Sequence, residues 1–423
     1  MAALSLCVCL NASALDGGSY SAFTPYSVYG LGEQFNPGTA YNWTMGGVGI
    51  ASRNIRYLNI TNPAAVTARD SLAFMSDFSV CEGNKIYRQG SLRSAENTFN
   101  MLDFAISFPI TDHTAMALGI KPFSASGYGY ADYPYNAAVL SEIGNVVDSY
   151  YGQGSVYELF ASYGAVLFKR LSLGVEAIHY FGEIEKSHAR AYSESAALSY
   201  TQSSELQIKA TAYKAGIQYE QPIGKKLKIG FGATYRTSAD LGGRIYDNTT
   251  SGSAALQADT IALGGGPKIA SEMAFGVSFN YMEKLRGEFD YSRSNWTDCG
   301  FDGYAGLRGN ADVFSGRVSE AYRVGFEYIP NLADIRYYWK KIAYRAGAYY
   351  KTESYNCSGL AVSTSAVTLG VTLPVFRWYN GLTLGMEVGR RGTLSADLVR
   401  ETFVNFSLGV NLFDIWFQQR RYE

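Results

Sequence analysis

From about residue 71 onward the chain alternates apolar with small or polar side chains at a period of two. Within Glu401–Phe413, Val404, Phe406, Leu408, Val410 and Leu412 fall on one side and Asn405, Ser407, Gly409 and Asn411 on the other. Leu382, Leu384, Met386 and Val388 alternate with Thr383, Gly385, Glu387 and Gly389. Leu227, Ile229, Phe231, Ala233 and Tyr235 oppose Lys228, Gly230, Gly232 and Thr234, and Val367, Leu369, Val371 and Leu373 oppose Thr368, Gly370 and Thr372. Successive side chains of a strand point to opposite faces, so each run is a strand with one apolar face. Fourteen are predicted, near 71–81, 99–109, 115–125, 155–168, 171–187, 205–221, 226–240, 268–281, 284–298, 317–329, 340–354, 362–374, 380–392 and 401–413. At about ten residues, such strands cross a bilayer at a tilt of about 45°.

The connections alternate in length. Those at Pro109–Thr114, Phe168–Leu171, Gln221–Lys226 and Met282–Lys284 are short, and those at Ser126–Gly154, Ser187–Ser204, Ala239–Pro267 and Trp296–Gly316 are long. Tight turns at one end, long loops at the other and an even strand count predict an all-β fold. The expected architecture is a transmembrane antiparallel β-barrel over residues 71–423, with both ends of the barrel in the periplasm. A soluble β-sandwich would also alternate, but water on its second face would tolerate many Lys and Glu residues. Here the second face is largely Gly, Ala, Ser and Thr, which suits a crowded lumen, and closure removes the open edges of a large sheet. Pro330–Lys341 is long for its end of the barrel and is expected to form a small helix.

Composition adds a membrane signature. The chain has Tyr 34, Phe 23 and Gly 45, only 17% charged residues and no apolar run long enough for a membrane helix. Lys+Arg 36 against Asp+Glu 37 provides no net basic charge for a nucleic-acid partner. Tyr and Trp favour the level of lipid headgroups. Tyr337, Tyr338 and Trp339, with Trp378 and Tyr379, are therefore expected in the periplasmic girdle, and Tyr128, Tyr130, Tyr133 and Tyr135 in an outer loop lining an entry. Met1–Leu10 is apolar and is followed by Asn11-Ala12-Ser13-Ala14, so residues 1–14 read as a secretory signal cut after Ala14. That signal lacks a basic start, which suggests a start codon further upstream. Cleavage leaves Cys81, Cys299 and Cys357, whose spacing suggests neither zinc nor a redox pair.

Residues 15–70 keep no sustained period, yet Met45, Val48, Ile50, Ile55, Leu58, Ile60 and Val66 are interspersed among Gly, Asn, Pro and Tyr. A free tail would not carry them, so this segment is expected to fold against the barrel lumen. It reads Pro25-Tyr26-Ser27-Val28-Tyr29-Gly30-Leu31-Gly32, then Met45-Gly46-Gly47-Val48-Gly49-Ile50-Ala51, then Asn62-Pro63-Ala64-Ala65. A Gly-rich segment, then Asn-Pro-Ala, then the first strand resembles the FadL/TodX family of outer-membrane transport proteins. The resemblance implies a fourteen-stranded barrel closed by an N-terminal hatch at residues 15–70, in a bacterial outer membrane. It makes Gly46, Gly47, Gly49, Asn62, Pro63 and Ala64 hatch or gating residues. Met116, Leu118, Ile120 and Pro122 share the outward face of the third strand; because Pro cannot donate to a ladder, Pro122 interrupts that strand, and the resemblance implies a lateral opening there. The terminal Trp416–Tyr422 run extends past the usual last strand and looks like Bacteroidetes members.

Inward positions also carry charge: Arg286, Glu288, Asp290, Arg323, Glu327, Arg345 and Glu387. Opposed charges in a closed lumen pair to hold strands and hatch together, and the same groups could contact a ligand headgroup. His113, His179 and His188 lack metal-ligand spacing, and Glu183 with Glu185 lacks an accompanying nucleophile, so no metal, no cofactor and no enzyme chemistry is expected. The first expectation is transport of a hydrophobic, fatty-acid-like molecule between the outer loops and the bilayer. The alternative is a non-transporting accessory barrel serving a type IX-like secretion or outer-membrane assembly complex.

Overall fold

The computed structural model describes residues 22–70, 72–132, 144–192, 199–251, 254–309, 313–375, 379–395 and 398–415. The expected signal at 1–14, Tyr133, Tyr135, Trp378 and the Trp416–Tyr422 run lie outside them. All fourteen expected strands are present: β1 (Ala73–Gln89), β2 (Leu92–Thr111), β3 (Thr114–Asp132), β4 (Val146–Leu167), β5 (Leu171–Tyr192), β6 (Tyr200–Ile223) and β7 (Leu227–Arg236). They continue with β8 (Glu272–Tyr281), β9 (Leu285–Asn295), β10 (Val318–Tyr328), β11 (Ala343–Cys357), β12 (Leu360–Pro374), β13 (Gly381–Arg391) and β14 (Arg400–Ile415). Each pairs antiparallel with the next, and β14 pairs with β1 from Ala73↔Ile415 to Arg88↔Arg400, closing the barrel.

Outward positions form an apolar belt. Phe78, Leu159, Val175, Ile217, Phe231, Phe275, Phe326, Leu369 and Leu408 are among its exposed members, as a surface facing hydrocarbon requires. At the other end from the short turns, the structure corrects three loop assignments. Within Ser126–Gly154 and Ser187–Ser204 the strands simply continue, so Tyr128 and Tyr130 belong to β3. Within Ala239–Pro267, Gly242–Ser251 and Ala254–Ala262 form a hairpin that pairs onto the outer half of β6. Beyond the bilayer neither face meets lipid, so apolar–polar alternation ceases to mark a strand. The Pro330–Lys341 connection contains one 3-10 turn, Tyr338–Lys340.

The seam between β2 and β3 is zipped only in part. Pairing runs from Thr111↔Thr114 to Phe104↔Ile120 and stops. Above that point β3 keeps β4 on one side, with a register shift between Pro122 and Ser124. On its other side it pairs with a two-residue strand of the N-terminal segment, Glu33↔Ala125 and Gln34↔Ser124. Among the described residues, the outer half of β2 is paired with β1 alone.

The inner wall is set back by a row of glycines. Gly164, Gly174, Gly216, Gly232, Gly276, Gly325, Gly347, Gly370, Gly385 and Gly409 lie on ten different strands, and several face each other across the ladder, as Gly164↔Gly174↔Gly216 and Gly325↔Gly347 do. A Cβ on Gly347 would collide with the backbone of Met45 and Gly46, and one on Gly174 with Pro63 and Ala64. The N-terminal segment thus lies directly on the wall's backbone. Gly347→Val is expected to destabilise the assembly by about 1–3 kcal/mol through overpacking. In that variant the barrel should still migrate as a folded, heat-modifiable species, while limited proteolysis cuts within residues 22–70 faster than in the parent protein.

Candidate functional site

Among the described residues, buried polar groups converge in the lumen, and the N-terminal segment organises it. At the outer end the Thr24 N–H donates to the Gly127 carbonyl (2.7 Å), the Thr24 hydroxyl to Glu401, and the Tyr87 hydroxyl to the Phe23 carbonyl (2.5 Å). Tyr26, Tyr29 and Leu31 then enter an apolar core with Leu206 and Ile208 of β6, Tyr355 of β11, and Trp296, Phe301 and Leu307 of an outer loop. The Lys186 ammonium donates to the carbonyls of Val28 (2.7 Å) and Gly30 (3.0 Å). The outer mouth is therefore packed by side chains rather than open as a vestibule.

Next comes an ionic level. Glu33 accepts from Lys85 (2.6 Å) and Arg391 (2.7 Å). Arg391 also faces Glu353 (3.4 Å) and Glu401 (3.3 Å), and Lys351 pairs with Glu353 (3.0 Å). Burial alone would raise the Glu33 carboxyl, but Arg391 and Lys85 hold it down to about 2.

Below this level the segment crosses the barrel on the glycine row. A short helical turn, Ala40–Trp43, leads into Gly46 and Gly47, whose φ values of +75° and +80° suit glycine. Asp290 of β9 accepts the N–H groups of Gly49 (2.7 Å) and Ile50 (3.0 Å). Gln218 of β6 donates to the carbonyls of Ile50 (2.9 Å) and Ser52 (3.2 Å), and Thr368 of β12 to that of Thr44 (3.2 Å). The wall thus satisfies backbone groups of an irregular segment that would otherwise be buried without partners.

Asn62 is fully buried. Its Oδ1 accepts from the Ala64 N–H (3.0 Å), capping the 3-10 turn Pro63–Thr67, and its Nδ2 donates to the carbonyls of Ile50 (2.8 Å) and Ile217 (3.3 Å). One side chain therefore ties the turn, the preceding loop and β6 together. Pro63 and Ala64 rest on Gly174. Gly49 packs beside Asn42, Thr61 and Asn59, where a Cβ would not fit. Pro122 is buried, not on the outward face, and borders the internal cavity beside the register shift of β3.

The singled-out charges are all buried, and they divide into separate groups. Glu327 links Arg345 (2.9 Å) to Arg286 (3.6 Å), and Arg286 also reaches Glu283. The Arg345 guanidinium lies over Tyr41 and Tyr57 of the segment, at 4.7 and 4.6 Å from the ring centres. Arg323 donates to Ser292 (2.9 Å) and packs against Gly47, while Glu288 lies two residues from Asp290 on the same inward row. Glu387 stands apart, accepting from Tyr349 (2.5 Å) and Asn405 (2.7 Å). The Glu33–Arg391 cluster and the pair Lys121–Glu158 were not singled out from sequence. Lys85 falls beyond the expected end of its strand, although inward parity continued past 81 would have marked it.

Among the described residues, two cavities of about 110 and 90 Å³ lie in the lumen. The larger is bordered by Lys121, Glu158, Lys214, Arg236, Glu272 and Arg323, and the smaller by Glu33, Lys85, Glu353 and Arg391. Both are polar. An apolar cavity that takes up benzene has a volume of roughly 150 Å³, so neither suits a long apolar chain. Cys81, Cys299 and Cys357 are free thiols, and no cluster of metal-ligating side chains occurs among the described residues.

The family model described as BamG matches residues 1–423. No curated protein matches the chain. Among solved structures, the chain is similar to the CymD monoaromatic hydrocarbon channel, at a TM-score of 0.59 and 13% identity over 90% of this chain and 98% of that one. It is similar to the Pseudomonas putida toluene transporter TodX, at 0.58 and 13% over 92% and 99%. A Pseudomonas aeruginosa FadL homologue gives 0.54 and 11% over 90% and 99%. Identities this low show a shared FadL/TodX-type barrel fold.

Two outcomes test this arrangement. Asn62→Ala is expected to cost roughly 1–2 kcal/mol, the scale of a lost cap and buried hydrogen bonds, read as a lower midpoint in urea unfolding of the reconstituted barrel. The depressed Glu33 carboxyl contributes stability that is complete above its ordinary value of 4.5 and is lost as pH falls towards about 2. Protease protection of residues 22–70 should hold from pH 7 to 5 and decline below. Glu33→Gln should remove that part of the pH dependence.

Proposed function

The chain belongs to the BamG family, and we propose that it is a non-transporting accessory barrel of a protein-assembly complex in the bacterial outer membrane. The observation that carries this reading is the filled lumen. An apolar core occupies the outer mouth, ion pairs span the level beneath it, and the N-terminal segment is bonded to the wall around the glycine row. A hydrophobic cargo would have to displace buried, paired charges, and removing one partner of such a pair costs several kcal/mol, about 3–5. A polypeptide has no path either, so the barrel serves a machine whose conduit lies in another chain. In this reading residues 15–70 are a permanent plug, with Asn62, Pro63, Ala64, Gly46, Gly47 and Gly49 as its seat. Arg286, Glu288, Arg323, Glu327, Arg345 and Glu387 support that seat or the strands around it.

One observation favours the second reading, transport of a small hydrophobic molecule with lateral exit. The β2–β3 seam stops at Phe104↔Ile120, directly below Pro122, and the N-terminal segment replaces β2 as the partner of β3 above it. Release of that contact would open the wall at Pro122, while the ionic level would still stand between such an opening and the lumen.

Native mass spectrometry of the protein extracted from its own membrane in mild detergent separates the two readings. A stoichiometric complex with other membrane or periplasmic proteins, free of small apolar mass, is the expected outcome. A monomer carrying a ligand of fatty-acid or aromatic-hydrocarbon size would replace the accessory reading with the transport one.

A further inference from the structure

Cations gather at the periplasmic ends of the lipid-facing rows. On β4 and β5 the outward positions Tyr163, Ala165 and Leu167, then Leu171 and Leu173, stay apolar up to the turn Phe168-Lys169-Arg170. Between β8 and β9, Val277, Phe279 and Tyr281 lead to Met282 and Lys284. The β6–β7 turn carries Ile223 with Lys225 and Lys226, and the β10–β11 connection carries Ile335 with Arg336, Lys340 and Lys341. Each group of cations thus borders an exposed apolar side chain, with Phe168 89% exposed and Ile335 97%. Phe168 and Met282 also hold φ values of +51° and +57°, where Gly or Asn is the less costly occupant of a tight hairpin turn. A bulky side chain kept in that conformation points to a use beyond the fold.

The carboxylates along this arc are already engaged. Glu283 pairs with Lys228 (3.2 Å) and Arg286, Glu220 faces Lys228 (3.9 Å), and Asp334 pairs with Lys340 (3.3 Å). Among the described residues no ion pair is formed by Lys169, Arg170, Lys225, Lys226, Arg336 or Lys341. The β2–β3 turn carries Asp112 and neither Lys nor Arg, so the positive charge is not spread evenly around the rim.

The β10–β11 connection is the longest of these four. Its ends are tied by the Asn331 N–H donating to the Lys340 carbonyl (2.8 Å), and the Asp334 carboxylate accepts the N–H groups of Arg336 (2.9 Å) and Tyr337 (2.7 Å). The Tyr338 hydroxyl donates to the Pro374 carbonyl (2.9 Å) and the Tyr344 hydroxyl to the Trp339 carbonyl (3.1 Å). These bonds hold exposed Tyr338 and Trp339 at the periplasmic ends of β11 and β12. The Lys340 ammonium lies over the rings of Tyr337 (4.6 Å) and Trp339 (5.6 Å). Aromatic rings beside cations suit the headgroup level of a bilayer.

We propose that the β10–β11 connection binds the anionic headgroups of phospholipids in the periplasmic leaflet. Two features favour lipid over an acidic periplasmic protein. The cations of Arg336 and Lys341 complement a negative headgroup layer, and the patch continues the lipid-facing belt through Tyr328 and Tyr344, both exposed. Arg336, Lys340 and Lys341 hold the phosphates, while Ile335 and Trp339 contact the boundary of the acyl chains. The other three turns repeat the same pairing of cation and apolar side chain on a smaller scale.

Quenching of Trp339 by brominated lipids tests this in the full-length protein reconstituted into phosphatidylcholine vesicles. The Trp339 signal is the difference between the parent protein and Trp339→Phe. Brominated phosphatidylglycerol should associate there about fivefold more strongly than brominated phosphatidylcholine, the scale of one Lys or Arg at an anionic surface. Salt at about 0.5 M should remove most of that preference. The triple variant Arg336→Gln, Lys340→Gln, Lys341→Gln, confirmed as folded by heat-modifiable migration, should lose it, whereas Lys340→Arg with Lys341→Arg should keep it. Equal association of the two lipids with the parent protein would overturn the proposal, as would a preference that survives the triple variant unchanged. Absence of quenching by either lipid would also overturn it, and would place this face against another protein.

Discussion

Backbone-on-backbone contact around the glycine row is the constraint on which the rest of the lumen depends. Ten strands withhold a side chain at the level where residues 40–67 cross, and the space is taken by the segment's main chain at Gly174, Gly232, Gly325 and Gly347 and largely by its short side chains at the others. Such closeness leaves no room for water to satisfy the segment's N–H and C=O groups, so the wall has to supply partners. Asp290, Gln218 and Thr368 do so, and each projects from a different strand. Packing and hydrogen bonding are thus one arrangement, since a wall set back by glycine is what lets short polar side chains reach the segment.

The charges follow from that filling. Buried ions are tolerated when each has a counter-ion or several donors. Glu327 lies between Arg345 and Arg286 on three consecutive strands, and Glu33 between Lys85 and Arg391, which joins β1 to β13. Arg345 additionally covers Tyr41 and Tyr57, so the N-terminal segment contributes aromatic faces as well as carbonyls. The outer half is closed differently, by Tyr26, Tyr29 and Leu31 against Trp296, Phe301 and Leu307. Between the polar sealing in the middle and the apolar sealing at the top lie two small cavities edged by charged side chains.

The described lumen of this FadL/TodX-type barrel is occupied, and a shared fold does not by itself assign the activity named in the structural neighbours. Here the middle of the lumen is polar and paired, and the interrupted seam at β3 is stitched by Glu33 and Gln34.

Alternation at a period of two was enough to place all fourteen strands, because within the bilayer one face meets lipid and the other a crowded interior. Inward parity likewise put Arg286, Glu288, Arg323, Glu327, Arg345 and Glu387 inside, and the Gly-Asn-Pro order marked the segment that fills the lumen. The strand extensions beyond the membrane, the hairpin within 239–267 and the buried place of Pro122 were not legible. Those stretches have water, loops or the plug on their faces, and no regular pattern records such neighbours. Which charge pairs with which was also beyond the sequence, since Glu33 and Arg391 lie 358 positions apart and meet only when the barrel closes around the plug. The pattern along the chain is set by a neighbour that is the same everywhere, the lipid. The lumen is set by neighbours that differ at every position, and only closure of the barrel brings them together.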